Sequence, residues 1–179
     1  MVASLDGFIA RRDGGVDWLE TPDRFEGGVS ITPELMTAVL ASIDCYVMGS
    51  RTYELALQFE AKGMGWVYGS TPTVVLTSRS LATTRDTVTF FNGDVAELLA
   101  SLRTRHRGIW VVGGGAVCGD VLRRGLADEV RYSIVPVVIG DGVPFFAGLD
   151  RDVALHLLES TPYDTGMVAL RYEVRRTGA

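Results

Sequence analysis

"VVGGGAVCGDVL", residues 111–122, decides how this chain is read. Apolar residues run into three consecutive glycines, and the glycines run into a segment with helical spacing. Strand, glycines, helix is a common way to hold a phosphate. Glycines let the backbone approach closely, and a helix start offers unpaired N–H groups. The spacing is Gly113-x-Gly115-x-x-x-Gly119, one residue longer than the G-x-G-x-x-G dinucleotide fingerprint. That fingerprint also requires an acidic residue about 20 positions on, ending the next strand. Here Asp128 and Glu129 come before the next strand, and little sequence follows for a full dinucleotide domain. The Rossmann reading is therefore rejected. A phosphate cradle of another kind and a tight strand-to-helix turn without ligand both stay open.

The flanking sequence alternates strands and helices. "MVASL" opens the chain as a strand, and "ARRDGGVDW" carries the Asp-Gly-Gly turn signal, so residues 11–18 are a loop. "TPELMTAVLASI" reads as a helix. Thr32 is its N-cap, Pro33 suits its first position, and Leu35, Val39, Leu40 and Ile43 share one face. "CYVMG" is a buried strand, "SRTYELALQF" a short helix, and residues 60–71 a glycine-rich loop. "TVVLTS" and "TVTFF" are strands, Asp94 caps the helix "VAELLASLRTRH", and "IWVVG" is the strand before the glycines. Residues 115–124 form a helix ended near Gly125. "EVRYSIVPVVI", "VALHLLES" and "MVALRYEVR" are strands, the last two paired antiparallel. The pattern predicts an α/β fold in one domain over residues 1–179, with a mostly parallel sheet and antiparallel C-terminal edge strands.

Composition narrows the function. Hydrophobic residues make up 47% and charged residues 22%, an ordinary globular balance. The net charge of −5 argues against a nucleic-acid partner, and no apolar run is long enough to span a membrane. No signal peptide is visible at the N-terminus. Cys45 and Cys118 lie in apolar surroundings with no CxxC, and His106 and His156 join no ligand cluster. The expectation is two buried thiols, no metal and a reducing, cytoplasmic compartment.

Three segments fall where parallel strands end, the place where open α/β sheets bind ligands. They are Gly49-Ser50-Arg51-Thr52, Thr77-Ser78-Arg79 and Gly113-Gly114-Gly115. Two of them pair a hydroxyl with an arginine, whose planar fork suits a phosphate.

Taken with "SLDGFIA", "VMGSRTYE", "VVLTSR", "WVVGGGAVCGDVLRRGLADEV" and "VPVVIGDGVPFF", in that order, these segments resemble the dihydrofolate-reductase-like superfamily. Within it the chain is most similar to the reductase half of the bifunctional riboflavin-biosynthesis deaminase-reductase. The resemblance implies a three-layer α/β sandwich, a sheet of about eight strands and an NADPH-dependent reductase acting as a homodimer. Gly49, Ser50, Arg51 and Thr52 would open a helix under the cofactor's phosphates. Ser78 and Arg79 would meet the adenosine 2′-phosphate, with Thr77 beside them as a further cofactor-binding residue. Gly113, Gly114, Gly115, Ala116 and Val117 would hold the pyrophosphate by backbone N–H groups. Val2 and Ile9 would flank the nicotinamide by main-chain contacts. Residues 10–18 would be the loop that closes over it, with Gly140 and Asp141 on a neighbouring loop.

The resemblance is incomplete at two places. The first strand begins at Met1, with fewer residues before "SLDG" than family members usually carry. The carboxylate that assists pteridine reduction should lie on the first long helix, where Glu34 is the acid present; the plainer reading of Glu34 is a first-turn glutamate favoured by the helix dipole. Asp6 is the second candidate acid, set in a "SLDG" turn. Trp18, Phe59, Trp66, Tyr68, Tyr132 and Ser133 are candidate substrate contacts, or plain core. No zinc-deaminase motif is present. The substrate expected is a small pterin- or pyrimidine-like heterocycle. A non-catalytic nucleotide-binding or oligomeric module, and a flavin-using protein, are the competing readings.

Overall fold

A computed structural model describes residues 1–176. In chain order its elements are β1 (Val2–Ser4), β2 (Phe8–Ala10), α1 (Pro33–Leu40), β3 (Cys45–Gly49), α2 (Ser50–Phe59), β4 (Thr73–Leu76) and β5 (Val88–Phe91). There follow α3 (Val95–Arg103), β6 (Ile109–Gly113), α4 (Gly115–Arg123), β7 (Glu129–Val135), β8 (Val143–Pro144), β9 (Leu155–Pro162) and β10 (Val168–Val174). The chain divides into two compact units interleaved in sequence. One takes residues 1–36 and 119 onward, the other residues 37–118.

The unit of residues 37–118 is built on four parallel strands in the order β5-β4-β3-β6. Parallel neighbours need crossover connections, and α2 and α3 supply two of them. β3 is buried at Cys45, Tyr46, Val47 and Met48, as expected of a central parallel strand covered on both faces. α3 turns Val95, Leu98, Leu99 and Leu102 inward, spacings of three and four that make one helical stripe. Its start is fixed by Asp94, whose side chain accepts from the N–H groups of Ala96 (2.8 Å) and Glu97 (3.3 Å). Tyr46, Met48, Tyr53, Val75 and Val88 form the core of this unit.

The other unit holds a sheet in the order β1-β7-β10-β9. β1 runs parallel to β7, while β10 is antiparallel to both β7 and β9, so the expected C-terminal antiparallel pair is present. β2 and β8 make a separate antiparallel pair. The resemblance implies a central sheet of about eight strands; the hydrogen bonds divide the strands into two groups of four, with β2–β8 as a further pair. Leu122, Val130, Phe145 and Val174 form the core of this unit, and Tyr132, Phe145 and Phe146 stack against one another there.

Local details follow the sequence with two differences. Thr32 Oγ1 accepts from Leu35 N at 3.2 Å, so α1 starts where expected, and Leu35, Val39 and Leu40 are its half-buried face. It stops at Leu40, leaving Ile43 outside. Residues 60–64 continue α2 as a wide helical turn instead of entering the loop directly, and Gly63, at φ 89°, ends it. α4 ends at Gly125 (φ 66°), whose N–H reaches Leu122 O while Leu126 N–H reaches Val121 O. Cys45 and Cys118 are buried free thiols.

Candidate nucleotide-phosphate site

The carboxyl ends of β3, β4 and β6 lie along one edge of the parallel sheet. Gly49 pairs with Leu76, just before Thr77-Ser78-Arg79, and Met48 pairs with Gly113. The three segments read as phosphate contacts are therefore side by side. The connection after β3 leads to β4 on one side, and the one after β5 returns to β6 on the other. The chain switches direction between β3 and β6, the kind of point at which open α/β sheets bind ligands.

Two helix N-termini meet at that switch. α2 begins at Ser50 after Gly49, with no side chain capping it. α4 begins at Gly115 after Gly114, which has no side chain to cap with. Their first N–H groups are left for an anion, and the helix dipoles favour one. The glycines keep the gap narrow and open. A Cβ on Gly49 would stand 3.3 Å from Val117 Cγ2 and 3.8 Å from Gly114 N, and one on Gly114 would stand 3.7 Å from Thr52 Oγ1. Gly113 has φ 146°, a conformation other residues avoid, and the Gly113–Gly114 peptide is cis.

Gly119 has a different task. A Cβ there would lie 1.7 Å from Ala147 O, so this glycine lets α4 pack directly on backbone. It explains why the glycine run resembles a fingerprint without being one.

Arg79 lies on an exposed turn after β4, with its N–H donated to Thr77 Oγ1 at 2.9 Å. Its guanidinium donates to Glu54 of α2, Nη1 to Oε2 at 3.0 Å and Nη2 to Oε1 at 2.5 Å. These bonds hold the Glu54 carboxyl below its ordinary range, and Arg51 adds to the effect. Glu54 was not foreseen, although "SRTYE" sets it three residues after Arg51 on one helix. Ser50 and Thr52 are half-buried in the first turn of α2, and Ser78 and Arg51 are exposed.

The other candidate residues are placed as follows. Val2 lies on β1, paired with Ser133 at the edge of its sheet, and Ile9 on β2. Asp6 accepts from Ser4 Oγ at 2.5 Å, Gly140 N at 2.7 Å and Ile139 N at 3.3 Å. The Ser4 hydroxyl and these backbone donors hold its carboxyl below the ordinary value. Glu34 is exposed in the first turn of α1, its carboxyl held low first by backbone hydrogen bonding and then by Thr32. Both side chains are thus ionised at neutral pH. Arg12 pairs with Asp141 and Arg11 with Asp17, tying the 11–18 loop to the Gly140 loop and to itself.

Trp18 is buried, and its Nε1 has no hydrogen-bond partner among the described residues. Tyr132 is half-buried beside Phe145, with burial raising its hydroxyl pKa. Phe59 is half-buried in the last turn of α2. Trp66 packs into the core cluster, edge-on to Tyr53 and Tyr68 and under the Arg85 guanidinium at 4.8 Å. Among the described residues no cluster of metal-ligating side chains occurs, and no helix is long and apolar enough to cross a membrane.

Comparison with known proteins agrees with this geometry. The uncharacterized protein YwjB of Bacillus subtilis (strain 168) is 29% identical over 158 residues, covering 88% of this chain and 86% of the relative. A candidate riboflavin biosynthesis protein from Shewanella sp. PV-4 superposes with a TM-score of 0.81 at 24% identity, over 98% of this chain and 97% of that one. Dihydrofolate reductase from Enterococcus faecalis, solved with NADP(H) and RAB-propyl, superposes with a TM-score of 0.63 at 20% identity, over 98% and 94%. At these identities the two structures show the fold, a reductase-like one. The RibD C-terminal domain model matches residues 1–169, nearly the whole chain, and the protein belongs to that family.

Proposed function

We propose that the protein is an NADPH-dependent reductase that transfers a hydride to a small pterin- or pyrimidine-like heterocycle. The observation that carries this reading is the β3/β6 switch point, where two helix starts without side-chain caps and an arginine fork line one sheet edge. Bound NADPH would supply the hydride. The chain's own residues would hold and orient it. The first N–H groups of α2 and α4 bind the pyrophosphate, with Ser50 and Thr52 as further donors. Arg79, Ser78 and Thr77 bind the 2′-phosphate, and Arg51 adds a positive charge beside it. Val2 and Ile9 hold the nicotinamide by main-chain contacts. The N–H groups of Trp18 and Trp66, both without an acceptor among the described residues, support a substrate that brings one, such as a ring nitrogen or carbonyl. Tyr132, Phe59 and Trp66 are the aromatic candidates for its ring. Asp6 and Glu34, both held ionised, are assigned no proton delivery at neutral pH.

The reading includes a homodimer in a reducing, cytoplasmic setting. The buried free thiols support the compartment. The edge strand β9 supports the dimer, because Leu155, Leu157 and Leu158 are all exposed along it.

The test is titration of the protein into NADPH, followed by nicotinamide fluorescence, then turnover of dihydrofolate and aminopyrimidine ribityl phosphates. Saturable binding with turnover of one panel member is expected. A folded sample that leaves NADPH fluorescence unchanged refutes the reading. A second reading, a non-catalytic nucleotide-binding module, is favoured by the ionised state of the two candidate acids, Asp6 and Glu34, and predicts binding without turnover across the panel.

A further inference from the structure

One residue of this site works against an anion. Glu54 sits on α2, and its carboxylate accepts end-on from both terminal nitrogens of Arg79, at 3.0 and 2.5 Å. One N–H on each of those nitrogens and the Nε–H are then left for other partners. The side chains are 54% and 36% exposed, so burial does not lock the pair. Breaking an ion pair of this kind costs little. An incoming phosphate finds the fork engaged, and it finds a like charge directly behind it. A carboxylate at this place has a second property. It accepts a hydrogen bond from a ribose 2′-hydroxyl, the group present when the 2′-phosphate is not.

We infer that Glu54 is a specificity-determining residue that restrains the preference of the Arg79 site for 2′-phosphorylated adenine nucleotides, so that the unphosphorylated cofactor is tolerated. The inference rests on the nicotinamide-nucleotide reading above. Arg79 supplies the attraction to the phosphate. Glu54 competes for the same donors and repels the dianion. Arg51, three residues earlier on the helix, adds a weaker electrostatic attraction to the Glu54 carboxylate. The result is a fork shared between an internal carboxylate and an external phosphate.

The test uses calorimetry with adenosine 2′,5′-bisphosphate and adenosine 5′-monophosphate, and fluorescence titration with NADPH and NADH. Wild type is compared with Glu54→Gln, which keeps the shape and removes the charge. The expected result is a gain of about fivefold in affinity for both 2′-phosphorylated probes at low salt, with the two unphosphorylated probes unchanged or slightly weakened. Added salt should shrink the gain, since the pair is exposed. A loss of affinity for the phosphorylated probes in Glu54→Gln would overturn the inference, because the carboxylate would then be positioning Arg79 for the phosphate. Equal shifts for all four probes, or none, would overturn it as well. Wild-type protein that binds none of the four would overturn the underlying cofactor reading, and this role with it.

Discussion

Replacing Gly119 by alanine separates packing from ligand binding in the glycine-rich stretch. The new Cβ would lie 1.7 Å from Ala147 O, 2.7 Å from its carbonyl carbon and 3.2 Å from its nitrogen. A carbon needs roughly 3.5 Å from such atoms. Helix and opposing backbone must therefore part by about 1.5–2 Å, and no flexible side chain lies between them to yield. Overpacking of this severity costs about 1–3 kcal/mol, occasionally more. Helix propensity alone favours alanine over glycine by about 1 kcal/mol. With backbone on both sides of the clash, the upper part of the overpacking range applies, leaving a net loss of about 2 kcal/mol. For a chain of this size that lowers Tm by roughly 4–8 °C. The assay is thermal unfolding by circular dichroism, with NADPH titration well below the transition. The folded variant should bind within about twofold of wild type, since Gly119 is not part of the cradle (about 0.4 kcal/mol). An unchanged or raised Tm would refute the packing argument. An unchanged Tm with lost binding would show that Gly119 belongs to the cradle after all.

Three further outcomes are expected. Asp6→Asn should lower the urea midpoint at pH 7, because an amide cannot accept from the Ser4, Gly140 and Ile139 donors as a carboxylate does. The folded carboxyl titrates below 3.8, so its stabilisation is complete above that value and is lost as pH falls through the depressed pKa. The gap between variant and wild type should therefore close in acid, and a gap undiminished there contradicts the clamp. Cys45 and Cys118, both pushed up to about 11 by burial, should resist an aromatic disulfide reagent at pH 8 until denaturant is added; rapid reaction of either in the native state would contradict their burial. Leu157→Glu on the exposed β9 edge should convert a sedimenting dimer to monomer, and a monomeric wild type would remove the dimer from the account.

The parts of this fold that sequence revealed are those with strong local signals. β3 and β6 are continuous apolar runs, α3 has a capping aspartate and a clean stripe, and glycine or hydroxyl residues mark the strand ends. Those signals were enough to bring Gly49, Thr77 and Gly113 to one sheet edge. The pairing of β2 with β8 was not legible, because strands of three and two residues show no period. The division of the strands into two hydrogen-bonded groups depends on long-range pairing that periodicity does not carry. Glu54 was overlooked for a related reason. Its partner Arg79 is 25 residues away, and only the parallel register of β3 and β4 brings α2 beside the turn that holds it. Gly119 shows what spacing alone does not carry: its position one residue beyond the fingerprint rules out the Rossmann reading, and its surroundings show backbone-to-backbone packing.

The central claim is that this sheet edge reads the 2′-phosphate of a nicotinamide dinucleotide through Arg79. The most direct measurement compares NADPH and NADH dissociation constants for wild type and Arg79→Ala by nicotinamide fluorescence. The account predicts a loss of about 1.5–3 kcal/mol for NADPH, the worth of hydrogen bonds to a charged group. It should fall toward the lower end because Glu54 already shares the fork, and NADH should be nearly unaffected. An equal loss for both nucleotides, or none for either, would contradict it.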